Sequence, residues 1–333
     1  MRIINATAPC RINDIGGWTD TRFAGHGAVC SIAVNPGAEV QIEGKDTGGV
    51  WVYLANYGET YHRTDTGFAQ KHPFIADAVE RNITEESNME LTIFSRMPPG
   101  ASTGTSAAVL VALIGALTKA MDCVYSKDDI AHMAHAVETE LGYESGIQDQ
   151  AAAAYGGISL YDIYEYPQFI TYAVDISPET RNELERRLML VYLGKPHSSS
   201  EIHKEVIDEL GEGAEEDERI ESLRALAPDA KVFLEDGDLC AYSSAMRISV
   251  DLQIAMNRHL VCMNAIEIMG IASRDMGVLG HKVNGAGGDG GTVTILTDGS
   301  IKNRLRLEGE ISKKYQIIPV TIADEGLRVW ESA

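Results

Sequence analysis

The order of elements along this chain predicts a mixed fold of strands and helices with a β-rich N-terminal section. Three observations carry the prediction. Runs of alternating apolar residues dominate the N-terminal part, a glycine-rich loop joins one such run to a helical stretch, and longer helical spacings fill the region beyond residue 200. At 333 residues the chain is long enough for two domains.

Taken in order, Ile3 to Ala8 reads as a strand that stops at Pro9. The segment from Pro9 through Arg11 and Gly16-Gly17-Trp18-Thr19-Asp20-Thr21 follows. Its Gly-Gly pair is turn chemistry. Its aromatic, hydroxyl and carboxylate groups are also those that bind a sugar, and a surface loop anchored by one Trp is the plainer alternative. Gly27–Val34, Glu39–Gly44 and Val50–Ala55 read as strands, and Phe68–Asn82 has helical spacing.

Met89, Leu91 and Ile93 alternate in a strand that leads into Pro98-Pro99-Gly100-Ala101-Ser102-Thr103-Gly104-Thr105-Ser106-Ala107-Ala108. A helix over Ala107–Met121 follows, with Thr105 and Ser106 at the expected N-cap. Free N–H groups and the positive dipole end of a helix start form an anion site, phosphate above all. Gly100 and Gly104 let the backbone approach that anion. A hydroxyl of Thr105 or Ser106 is placed to reach a magnesium ion held by the phosphates. No lysine follows in the Walker A frame, and G-x-G-x-x-G is absent.

The next helix starts at Ser126 and places Glu138 beside its apolar face, either as a solvated flank or as a metal ligand. Ser145 caps an alanine-rich helix that ends at Gly156-Gly157. Asp149 falls in its first turn, either as a dipole-favoured acid or as a general base. Ile158–Ile163 and Phe169–Val174 are strands, and the polar Ser177–Arg187 reads as a linker. Beyond it come the strand Leu188–Leu193, a polar turn with Lys195 and His197, and a helix over Glu201–Leu210. An acidic loop over Glu209–Glu218 precedes helices near Arg219–Leu226, Lys231–Ile248 and Leu252–Met276. A second glycine-rich loop, Val283 to Gly291, indicates close backbone approach to a ligand or another loop. It leads into the strand Thr292–Leu296. A helix over Ile301–Lys314 and a strand over Ile317–Ile322 finish the chain.

A formal net charge of −21 disfavours nucleic acid and anionic membranes as partners. No apolar run reaches membrane-spanning length and no signal pattern opens the chain, so the cytoplasm is the expected location. The five cysteines lack CxxC spacing, which argues for free thiols and against a zinc site.

Three motifs in order give the chain its likeness to a family. They are Ala8-Pro9-Cys10-Arg11 through Asp20, Pro98 through Ala108 against the pattern P-P-G-A-G-L-G-S-S-A-A, and Val283 through Gly291 against a G-A-G-G-G-G loop. Together they resemble the GHMP small-molecule kinases. Gly16-Gly17-Trp18-Thr19-Asp20, Gln148-Asp149-Gln150 and Ser198-Ser199-Ser200-Glu201-Ile202 are similar to the heptose 7-phosphate kinase and fucokinase branch, whereas galactokinase has G-E-H-T-D in the first motif.

The resemblance implies an N-terminal α/β domain over residues 1–180, a ferredoxin-like α+β domain over 181–333, and a site between them. It implies that Pro98, Pro99, Gly100, Ala101, Ser102, Thr103, Gly104, Thr105 and Ser106 wrap the phosphates of ATP. Ser106 and Glu138 hold Mg2+, Asp149 faces the acceptor hydroxyl as base or orienter, and Arg11 offsets negative charge there. Gly17, Trp18, Thr19, Asp20, Gly285, Ala286, Gly287 and Gly288 contact the acceptor. Asp149, beside Arg11, is expected to stay ionised. Asp289 breaks the third motif and is expected to point outward. The implied activity is phosphorylation of a sugar or sugar-phosphate hydroxyl, a heptose 7-phosphate or a fucose-like sugar, at the anomeric position. The alternatives are a kinase for a mevalonate-type acid and a silent sugar sensor, and the resemblance leaves room for a homodimer.

Overall fold

The computed structural model describes residues 2–194, 199–211 and 214–332. Lys195, His197 and Ser198 lie outside them. The chain opens with β1 (Ile3–Ile15), which does not stop at Pro9. A register shift between Ala8 and Cys10 lets the proline, which has no N–H to donate, sit at a bulge. The two strands expected next are one bent strand, β2 (Gly27–Gly44), followed by β3 (Val50–Leu54) and β4 (Glu59–His62). The helix expected over 68–82 is split into α1 (Thr66–Lys71) and α2 (Pro73–Arg81). Pro73 disfavours helical geometry in His72 and itself supplies the first residue of α2.

β5 (Met89–Ser95) leads through the first glycine-rich loop to α3 (Thr105–Ala120). Its N-cap is Gly104, at φ 65°, so Thr105 and Ser106 occupy the first turn rather than the cap. α4 (Lys127–Glu140) begins with a capping box between Ser126 and Asp129. α5 (Gln148–Tyr155) follows, and Ser145 is not its cap. β6 (Ile158–Glu165) and β7 (Gln168–Ala173) form a hairpin.

The expected linker is a helix, α6 (Pro178–Arg187), capped by the Ser177 hydroxyl. Ser then Pro is a helix-start pair as much as a breaker. The expected domain boundary at residue 180 therefore falls inside a helix. β8 (Leu188–Tyr192) and α7 (Ser199–Leu210) precede α8 (Glu218–Glu235), α9 (Leu239–Met256) and α10 (Met263–Arg274). Pro228 sits inside α8, which continues past it and buries Leu223, Ala227, Ala230 and Leu234. The break comes at Gly237, φ 72°. The second break comes at 257–262, not within a single helix over 252–276. β9 (Val278–Val283), β10 (Thr292–Thr297), α11 (Ile301–Ile311), β11 (Gln316–Ile318), β12 (Thr321–Ile322) and β13 (Arg328–Ser332) complete the chain. The final strand expected over 317–322 is divided by Pro319 between two sheets.

Nine strands form the first sheet, in the order β13-β1-β2-β5-β3-β4, with β12 and β6 also on β2 and β7 on β6. The second sheet is antiparallel, β11-β8-β10-β9. The last two strands thus return to the sheet that began the chain. α3 and α5 pack on β1 and β2, and α3 is buried along most of its length. α8 packs on β2 and its neighbour α9 on β9, so the two helices join the sheets. This brings the end of β1, the loop before α3, the start of α5 and the loop after β9 to one place. Among the described residues, no helix is long and apolar enough to cross a membrane.

Candidate active site

These four segments line a cleft of about 420 Å3. One wall is the loop before α3. Gly100, Ser102 and Gly104 all have positive φ, and the tight turns this makes precede the free N–H groups of the first turn of α3. The loop is held from behind: the Arg11 backbone N–H donates to Thr103 O at 2.9 Å, Arg11 Nη1 to Ser102 O at 2.5 Å, and Thr292 Oγ1 to Ala101 O at 2.8 Å. A Cβ on Gly104 would lie 3.3 Å from the Asp149 carboxyl carbon, so glycine there lets the loop close on α5. Thr103 and Thr105 pair their hydroxyls at 3.1 Å, which leaves Ser106 as the exposed hydroxyl of the first turn.

The opposite wall consists of side chains. Arg11, from β1, is buried and donates from Nε to Asp149 Oδ1 at 2.7 Å. Burial works against its charge, but Asp149, Asp14 and Asp20 raise its pKa. Gln148 Nε2 donates to the same Asp149 oxygen. Burial pushes the Asp149 carboxyl up, and the charge of Arg11 opposes without cancelling that push. Asp149 is therefore less firmly ionised than the neighbouring arginine alone leads one to expect. Asp20 is buried and its Oδ2 accepts the Gln148 backbone N–H at 3.1 Å, capping α5 in place of Ser145. Burial, then the charge of Asp149, pushes Asp20 up to about 7.

Ser145 instead donates to Glu138 Oε2 at 2.6 Å, and Gln150 Nε2 donates to that oxygen at 2.9 Å. Burial raises the Glu138 pKa against these bonds and a further one from Ser106. Glu138 is thus a buried acid inside the cleft and not a solvated flank.

Of the residues expected here, Gly100 to Ser106, Arg11, Gly17, Trp18, Asp20, Glu138, Asp149, Gly285 and Ala286 all line the cleft. Pro99 lines a neighbouring apolar pocket of about 390 Å3, with Tyr57, Phe74 and Tyr143. Pro98, Thr19, Gly287 and Gly288 line neither. Thr19 turns its hydroxyl onto the carbonyls of Gly16 and Ala28. Gly287 packs so closely on Leu260 that a Cβ would lie 1.9 Å from its carbonyl oxygen, and Gly288 N–H donates to that oxygen. The Trp18 ring is 5% exposed and packs among Phe23, Leu223, Met256 and Leu260, so it is a core residue at the cleft edge rather than an open stacking face. Asp289 is exposed, as expected.

Residues 70–157 match the family described as GHMP kinases N terminal domain. The chain is 27% identical to a mevalonate kinase of Pyrococcus abyssi, over 99% of this chain and 98% of the relative. It is 22% identical to a D-glycero-alpha-D-manno-heptose 7-phosphate kinase of Campylobacter jejuni, over 99% of each chain. Its fold matches a crystal structure of a D-glycero-D-manno-heptose 1-phosphate kinase from Bacteroides thetaiotaomicron with a TM-score of 0.79, at 17% identity and 99% coverage of both chains. Residues 70–157 thus carry a likeness to the GHMP kinases. The named relatives support a small-molecule kinase.

Sequence reasoning missed part of this site. Asp14 and Lys282 form a buried ion pair at 3.2 Å. Asp14 also accepts the Gly285 N–H at 3.1 Å, and the Asn13 N–H donates to Asn284 Oδ1 at 2.9 Å. This network fastens the third motif to the first. Burial raises the Asp14 pKa, but Lys282 and Arg11 override it and hold the carboxyl below its usual value. The available signal was a lysine directly before the second glycine loop and an unmatched acid in the first motif.

Proposed function

We propose that this kinase transfers the γ-phosphoryl group of ATP to a hydroxyl of a sugar or sugar phosphate. The observation that carries the reading is the charge of the cleft. Among the described residues lining it, Asp14, Asp20, Glu138, Glu144 and Asp149 outnumber the one lining cation, Arg11; Arg11 pairs with Asp149, and Lys282 and Arg22 pair with Asp14 and Glu144, which leaves Asp20 and Glu138 without a cation. Such a wall suits the hydroxyls of a polyol, which donate to carboxylates, and disfavours an anionic group set against it, so a carboxylate acceptor is disfavoured and the phosphate of a sugar phosphate would have to lie away from these acids. A C1 hydroxyl is the assigned acceptor, in keeping with the fucokinase-like first motif.

Asp149 receives two donors on Oδ1, and Oδ2 is left for the acceptor hydroxyl as base or orienter. Its raised pKa favours accepting a proton. The first turn of α3 cradles the phosphates, and the adjoining apolar pocket with Tyr57, Phe74 and Tyr143 takes the base. Glu138 and Ser106 would be the oxygen donors for Mg2+. Among the described residues there is no cluster of three or more acidic, His or Cys ligands, which fits an ion that takes most of its shell from phosphates and water. Bound there, the ion would neutralise phosphate charge. Arg11 and the helix start contribute positive charge of their own.

A second reading, a kinase for a mevalonate-type acid, is favoured by the likeness to the Pyrococcus abyssi enzyme. ADP release with Mg-ATP across L-fucose, D-galactose, a heptose 7-phosphate and mevalonate separates the two. Turnover of a sugar supports the proposal, and turnover of mevalonate alone overturns it.

A further inference from the structure

Sequence reasoning assigned Gln148 no role beyond its place in the Gln148-Asp149-Gln150 likeness, yet it lines the cleft, is 4% exposed and stands next to Asp149 in the first turn of α5. Its two amide atoms differ in what they do. Nε2 donates to Asp149 Oδ1. Oε1 is buried and accepts no hydrogen bond. Turning the amide round would set its oxygen against Asp149 Oδ1, which already accepts from Arg11 Nε, so the N–H end is the one that faces the carboxylate. Its stem is equally fixed: the Gln148 N–H is held by Asp20 Oδ2, and the preceding Ile147 N–H by Asp20 O at 3.2 Å. The fold thus leaves a bare, buried amide oxygen next to the carboxylate assigned to the reacting hydroxyl, on a residue that lines the cleft. Buried carbonyl oxygens are ordinarily satisfied.

We propose that Gln148 Oε1 accepts a hydrogen bond from a second hydroxyl of the acceptor, so that the alcohol this kinase takes is a diol or polyol and Gln148 sets its register. The proposal rests on the reading of Asp149 as the group that faces the attacking hydroxyl. Because Oε1 and Nε2 share one amide carbon, the oxygen lies one amide width from Asp149. That spacing fits a hydroxyl close to the phosphorylated one and not one at the far end of the molecule. Gln148 has a positioning role as well, since its Nε2 helps to fill Asp149 Oδ1 and leaves Oδ2 for the substrate.

The test pairs each alcohol of the panel above with its analogue lacking the nearest hydroxyl: the 2-deoxy sugar for a sugar phosphorylated at C1, and 5-hydroxy-3-methylpentanoate for mevalonate. Wild-type enzyme should prefer the full alcohol by about 100-fold or more in kcat/KM, because a site built for a hydroxyl rejects the analogue without it. In Gln148→Met the preference should collapse towards unity through a higher acceptor KM, with the ATP KM unchanged. Gln148→Glu keeps an acceptor oxygen but places a charge against Asp149, so its loss should fall on kcat. A Gln148→Met enzyme that keeps the wild-type preference overturns the proposal. So does a wild-type enzyme that uses the deoxy analogue equally well, and that measurement requires no variant to fold. Turnover of mevalonate alone removes the sugar reading and leaves Gln148 to be judged on the methylpentanoate pair.

Discussion

The two walls of the cleft are built by opposite means. The phosphate wall is local and made largely of backbone: nine consecutive residues, 98–106, with positive φ at Gly100, Ser102 and Gly104 and a helix start behind them. The acceptor wall is assembled from side chains distant in sequence, Arg11, Asp14, Asp20, Gln148, Asp149 and Lys282, nearly all buried and linked by ion pairs or hydrogen bonds. A backbone wall keeps its function while its geometry is kept. A networked wall fails when a single member is removed, because each leaves a buried partner unsatisfied. The largest effect is therefore expected at Asp149. Asp149→Asn should lower kcat by roughly 1,000-fold, within the range for a positioned base, while the ATP KM stays within a few-fold of wild type. Near-normal turnover would remove Asp149 from the chemistry.

Stability gives the next contrast. Lys282→Met leaves Asp14 charged, buried and without its main partner. Breaking a buried pair from one side costs about 3–5 kcal/mol, and replacing both partners by apolar groups restores much of it. Urea unfolding should show a large loss for Lys282→Met and a smaller one for Asp14→Leu/Lys282→Met. Additive losses would mean that the pair is not coupled.

Asp20 tests the same wall through pH. Its folded pKa, about 7, lies above the unfolded value near 3.9. Between those values the folded state holds the proton that the unfolded state has released, so wild-type stability contains a component that falls as pH rises from about 4 to 7 and is constant above. Asp20→Asn lacks that component. Its Tm relative to wild type should climb by a few degrees across this window, measured without ligands by thermal melting. A difference in Tm that does not change with pH would contradict the burial-raised carboxyl.

The same division explains what the sequence made legible. The phosphate loop, α3 and the acids at 138 and 149 were readable because each lies in a local pattern of strand, glycine turn and helix. The Asp14–Lys282 pair and the cap of α5 by Asp20 were not, because they join residues 268 and 128 positions apart through the fold. Ser145 looked like a cap by spacing, but a buried Glu138 needed its hydroxyl more than a helix start already served by Asp20. Pro178 and Pro228 misled in another way. Proline opens α6 after its serine cap and is carried inside α8, where burial of one face outweighs a lost backbone bond. The return of β12 and β13 to the first sheet has no local signature at all.

Ser102 probes the phosphate wall with the smallest expected effect. It is the one non-glycine residue of that loop at positive φ, 56°, where the patterns it resembles carry glycine. Its Oγ is buried without a hydrogen bond, and a Cβ on Gly291 would lie 2.5 Å from it, so the loop after β9 leaves room for this side chain. Left-handed geometry costs a non-glycine residue roughly 1–2 kcal/mol. Ser102→Gly relieves that strain and removes an unpaired hydroxyl, while the freer unfolded chain takes back part of the gain. The net expectation is a stabilisation of about 0.5 kcal/mol in urea unfolding. Because Arg11 holds residue 102 by its carbonyl, which glycine retains, the ATP KM should move less than about three-fold. A rise of ten-fold or more would mean that the hydroxyl itself touches the nucleotide, and the phosphate wall would then depend on side chains as the acceptor wall does.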